Sequence, residues 1–128
     1  MSYYFSKAVH DDFNTAITKV TEELKKEGFG ILTEIDVRET LKKKLDVDFR
    51  KYKILGACNP PFAYEALQTE NNVGTMLPCN IIVQEFKDGT VEVSSVDPLA
   101  SMAAIHNEKL KRIAKKVREK LKKIISGL

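Results

Sequence analysis

Apolar residues recur along this chain with two different periods, and the switches between them mark out the elements. From Tyr3 to Val9 aromatic and branched residues alternate loosely with polar ones, which predicts a first strand. Asp11 and Asp12 then supply an N-cap, after which Phe13, Ala16, Ile17, Val20 and Leu24 recur at helical spacing until Gly28 ends the run. Alternation returns over Phe29 to Ile35, with Phe29, Ile31 and Ile35 expected on one face of a second strand and Leu32 and Glu34 on the other. Val37, Leu41 and Leu45, spaced four apart in a charged stretch, predict a short surface helix. Tyr52 to Cys58 reads as a third strand, with Tyr52, Ile54, Gly56 and Cys58 sharing a face, and Asn59, Pro60 and Pro61 cut it off. Asn followed by Pro starts a helix, because the Asn side chain can accept from an orphan N–H and Pro at the first position loses no bond. That helix is expected from Pro60 to about Leu67.

The stretch Thr69 to Pro78, with Asn71, Asn72, Gly74 and Pro78, reads as a loop returning to Cys79, where a well-buried strand through Ile81, Ile82 and Val83 begins. Asp88 and Gly89 predict a two-residue hairpin turn into Thr90 to Val96. Asp97 and Pro98 close that strand. Leu99 to Ile105 then turns into a long final helix whose apolar stripe is Leu110, Ile113, Ala114, Val117, Leu121 and Ile124. Sequential strands with segregated helices imply an α+β domain built on a mostly antiparallel sheet with its helices on one face.

Length and composition narrow this without naming an activity. The 128 residues, 43% hydrophobic and 30% charged, fit a single domain over residues 1–128, large enough to fold without metal or disulfide staples. With no apolar run of membrane length and no signal-peptide pattern at Met1 to Ser6, a soluble, cytoplasmic protein is expected. The formal charge of +3 hides an asymmetry: Asn107 to Leu128 carries a balance of +7 and the remainder −4. Such a basic helix invites nucleic acid, yet it has no aromatic residue to stack on bases, and its lysine face reads more simply as solvated.

The chemistry concentrates at two cysteines. The dipeptide Cys-Asn occurs as Cys58-Asn59 at the end of one strand and as Cys79-Asn80 at the start of the next. If those strands are antiparallel neighbours, the thiols meet in space and the intervening insertion lies over them. Cys58 also precedes a helix N-terminus, where unpaired amides favour a thiolate or another anion. Against this, free cysteines are commonly small buried hydrophobes; zinc normally needs three or four ligands, and the only histidines, His10 and His106, read as surface or capping groups. Glu65, Glu85 and Asp97 are candidate acids or bases near the cysteines. No Gly-rich phosphate loop, H-E-x-x-H or G-x-S-x-G is present, so three large enzyme classes lose their usual support, and the cofactor, if one is used, is unknown from sequence.

Gly56-Ala57-Cys58-Asn59-Pro60, Ala66-Leu67, Gly74, Leu77-Pro78-Cys79-Asn80, Glu85, Asp97-Pro98 and then Met102 together resemble the domain of unknown function 302 family over nearly the whole chain. The resemblance implies a TATA-box-binding-protein-like fold, ordered strand, helix, four strands, helix, and association as a homodimer. It implies no reaction and no DNA binding, because a shared fold is not a shared site. Two readings follow. One is a small-molecule or anion pocket formed by Cys58, Asn59, Cys79 and Asn80, with Cys58 a reactive thiol and Pro60 fixing the helix start. The other is a non-catalytic interaction module that pairs through its last helix and a sheet edge.

Overall fold

A computed structural model describes residues 2–128. Five strands, β1 (Tyr4–Val9), β2 (Gly30–Asp36), β3 (Tyr52–Cys58), β4 (Cys79–Glu85) and β5 (Val91–Val96), form one sheet ordered β1-β5-β4-β3-β2 with every neighbouring pair antiparallel. β2 to β5 run as a meander. β1 lies at the far edge beside β5, so helix α1 (Phe13–Lys26) carries the chain across the whole sheet to β2. Three shorter helices, α2 (Val37–Leu45), α3 (Pro60–Thr69) and α4 (Pro98–Ser101), precede the long α5 (Glu108–Ser126). The fold is therefore α+β on a fully antiparallel five-stranded sheet.

α1 forms where expected: Asp12 accepts from the Thr15 amide at 2.8 Å, and Phe13, Ala16, Val20 and Leu24 are buried. Its chain then reverses at Gly28 with φ +86°, a backbone that favours glycine. α5 buries Leu110, Ile113, Ala114, Val117, Leu121, Ile124 and Ile125. Most of that stripe joins α1 and the inward residues Leu55, Ala57, Cys79, Ile81, Val83, Val91 and Val93 in one core. Of the two expectations for this stripe, packing on the sheet or on a partner, the chain's own sheet takes it: Leu121 is fully buried there. At the outer end of α5, Lys120 and Lys123 meet Glu27 at 3.6 and 3.4 Å, tying that helix to the exit of α1.

Four further expectations are corrected by local geometry. A bulge between Ile31 and Thr33 inserts one residue into β2, so Ile31 pairs with inward Ala57 while Ile35 pairs with Ile54 on the opposite face. Ile35 therefore does not share a face with Ile31. The β4–β5 connection is longer than two residues: the Gly89 amide donates to the Phe86 carbonyl, Phe86 pairs with Thr90, and Gly89 sits at φ +88°. That is a turn with a glycine bulge, a common longer hairpin closure. Beyond β5 the chain forms a separate helix α4 and a turn before Asn107 caps α5 through the Leu110 amide. In the insertion, α3 continues to Thr69 and Val73–Met76 makes a 3-10 turn where a plain loop was expected.

Candidate functional site

Antiparallel pairing of β3 and β4 places Ala57 opposite Cys79 and Gly56 opposite Asn80. Cys58, next along β3, and Cys79 both line one cavity of about 290 Å³ beneath α3. The strand adjacency inferred from the repeated dipeptide therefore does bring the two cysteines to one place, and both are free thiols. Gly56 is what lets the chain enter β4 here. A Cβ at this position would collide with Thr33 Oγ1 and stand 2.7 Å from Pro78 Cγ, so only glycine admits the proline that precedes Cys79.

The cavity lies at a seam. One wall belongs to the main core, with Phe29, Ala57, Ile113 and Val117, and the other to a smaller cluster around α3, with Ala66, Leu77, Met102 and Leu110. Small residues Ala57, Ala63, Ala66 and Ala114 face the space, and neither cluster fills it. Leu32 and Leu67, 67% and 47% exposed, stand at its mouth. No Lys, Arg, His, Asp or Glu lines it, so its polar side chains are the two thiols and Asn59.

Each of the proposed site residues can now be placed. Asn59 lines the cavity but does not cap α3 with its side chain; its Nδ2 donates to the Glu27 carbonyl at 3.2 Å, clamping the end of β3 to the reversal after α1. Its backbone carbonyl accepts from the Ala63 amide, which begins the helix. Pro60 is the first helical residue, exposed and outside the lining. Asn80 is turned to the other face of the sheet, because consecutive strand residues point oppositely, and it takes no part in the cavity. Glu65 is exposed, Glu85 lies at the far end of β4, and Asp97 is engaged with Arg118 and the Leu99 amide. None of these carboxylates reaches the thiols' cavity.

The same geometry offers few donors to an anion. Pro60 and Pro61 carry no N–H and the Ala63 amide is already bonded, so of the first four residues of α3 only Phe62 has an uncommitted amide. The helix end is thereby stripped of most of the donors that would hold an anion. Cys79 is also unsuited to ionise: burial, reinforced by the neighbouring Cys58, pushes its thiol up to about 11. What sequence reading missed was the apolar lining contributed by α4 and α5, and its signal was present in Met102 and in the small residue Ala114 within an otherwise large-residue stripe.

Among the described residues, no helix is long and apolar enough to cross a membrane. No curated protein matches the chain. A crystal structure of an uncharacterized conserved protein, DUF302, from Bacillus stearothermophilus is similar to it, with 30% sequence identity, a TM-score of 0.91 and coverage of 98% of both chains. The family model described as domain of unknown function DUF302 matches residues 5–128, and the chain belongs to that family.

Proposed function

We propose that this domain binds a small, uncharged, largely apolar molecule in the cavity under α3, with Cys58, Cys79 and Asn59 forming the polar end of the site. The observation that carries this reading is a space of about 290 Å³ whose lining has no charged side chain. Well-packed cores keep few voids larger than a water, and an apolar cavity of about 150 Å³ already accommodates benzene. A space nearly twice that size suits a ligand of roughly a dozen heavy atoms by the same scaling. With no acid, base or cation in reach, the thiols serve as weak hydrogen-bonding groups, and Cys58 is the more accessible of the two.

Titration with 1-naphthylamine, an uncharged apolar fluorophore of about the size that the cavity admits, tests this. Saturable enhancement is expected in the native chain, with strong loss in Ala63→Phe, whose ring would occupy the mouth. Equal binding by native protein and Ala63→Phe, or none by either, would remove the proposal. Retained thermal unfolding of the variant shows that it is folded.

A second reading, self-association, is favoured by the free edge of β2, where Leu32 and Ile35 remain exposed. Such an edge is a template for pairing with a second copy. Sedimentation should then detect a dimer that Ile35→Lys dissociates; a monomer at all concentrations would refute it.

A further inference from the structure

The sheet face turned away from α1 and α5 carries a second recess, of about 380 Å³, that shares no residue with the thiol cavity. It is where Asn80 points. It is more polar than the apolar cavity, with Arg50, Asn80, Gln84, Glu92 and Ser94 in its lining, and three of the chain's four tyrosines, Tyr3, Tyr4 and Tyr52, wall it.

The polar groups are held in place. Arg50 donates from Nε to Gln84 Oε1 at 3.0 Å, while its guanidinium lies 4.5, 5.3 and 5.8 Å from the ring centres of Phe49, Tyr52 and Phe86. Three aromatic neighbours and one hydrogen bond fix its direction and leave its terminal nitrogens as donors. On the other side of Gln84, across the β4–β5 register, stands Glu92, whose Oε1 accepts from Ser94 Oγ at 3.2 Å. Gln84 and Ser94 are buried at the floor although they face away from the helices, because the surrounding side chains rise above them.

We infer that this recess binds a neutral, hydroxyl-rich ring, the chemistry of a saccharide. A guanidinium only donates and a carboxylate only accepts, and here Arg50 and Glu92 flank one glutamine. Hydroxyl groups do both, so a polyol satisfies the two together, whereas an anion meets Glu92 and a cation meets Arg50. The opposed charges also deny the net positive field that a nucleic-acid strand requires. Asn80 and Gln84 add amides that pair with further hydroxyls, and the tyrosines offer apolar ring faces to C–H surfaces of a sugar.

The test uses the full chain with methyl β-glucoside, methyl β-galactoside and cellobiose, followed by backbone amide NMR and by tyrosine fluorescence, which is readable because the chain contains no tryptophan. At least one sugar should produce saturable shifts at Asn80, Gln84, Glu92 and Ser94 with a dissociation constant on the order of millimolar, the affinity of a shallow polar site worth about 4 kcal/mol. Affinity should hold when salt is raised from about 50 to about 500 mM, since no net charge is involved. Glu92→Gln and Tyr52→Ala should each weaken binding at least about fivefold, while Ala63→Phe, which obstructs the other cavity, should leave it unchanged. Failure of all three sugars at about 100 mM, well above a millimolar constant, would overturn the assignment. So would shifts that persist in both recess variants, preferential binding of a single-stranded oligonucleotide, or occupation of this face by a second copy of the chain.

Discussion

Cys79 shows how one side chain's surroundings decide its chemistry. It is 8% exposed among Ala57, Ile81 and the α5 stripe, and its thiol is held up at about 11 by burial first and by Cys58 second. The unfolded chain ionises this group near its ordinary value of 9.0. Between those two values the native state retains a proton that the unfolded state has lost, so stability is intact below pH 9 and falls as pH rises toward 11. The loss should be about 2 to 3 kcal/mol, and it should be missing from Cys79→Ala; urea unfolding of both proteins across that window measures the difference. A parallel loss in the variant would mean that other groups carry it. Gly56 is a second such residue. Gly56→Ala should cost about 1 to 3 kcal/mol by overpacking, because Thr33 and the Pro78 ring already occupy the space, and Thr33→Ala should recover part of it. Denaturant midpoints of the three proteins test this; an unaltered midpoint in Gly56→Ala would show that Pro78 moves freely.

At the scale of elements, legibility depended on whether the signal was local. α1, α5 and the antiparallel neighbours β3 and β4 could be read because periodicity, capping residues and a meander order are all properties of nearby residues. The face of Ile35 could not be, since the bulge that turns it depends on the β3 register. Asn59 misled for a similar reason: its place before Pro60 fits a cap, but a carbonyl 32 positions earlier in the chain claims its amide. Asp97 behaves the other way, serving as both local cap and long-range anchor. It is 3% exposed, accepts from the Leu99 amide at 3.0 Å and from Arg118 Nε at 3.1 Å, and so fastens α4 and the end of β5 to α5. Its hydrogen bond raises the Arg118 guanidinium above its ordinary value. Asp97→Ala should therefore lose at least the typical cap contribution of about 1 kcal/mol, and hydrogen exchange should rise in α4 first. Unchanged protection there would show that the neighbouring helices hold α4 without the carboxylate.

Across the whole molecule, the sheet separates an uncharged apolar recess from one that carries Arg50 and Glu92, and the second Cys-Asn dipeptide straddles it, with Cys79 on one side and Asn80 on the other. The sequence brought the two cysteines together but did not reveal their apolar surroundings, because that lining comes from α3, α4 and α5, far apart along the chain. That lining also yields a test of whether the seam is a binding site or a packing defect. Filling a void usually stabilises a protein, by about 0.5 to 2 kcal/mol where the added methyl groups find room. Ala66, 4% exposed and facing the seam from α3, is a suitable place to add them. Ala66→Leu should raise the unfolding temperature and lower affinity for the apolar fluorophore together, since the same space serves both. Ligand at about 100 times its dissociation constant should stabilise the native chain by about 2.7 kcal/mol and the variant by much less. Thermal scans of both proteins with and without fluorophore separate the possibilities: a variant more stable than the native chain that still gains the full increment from ligand would place binding elsewhere, and the apolar reading of the seam would fall.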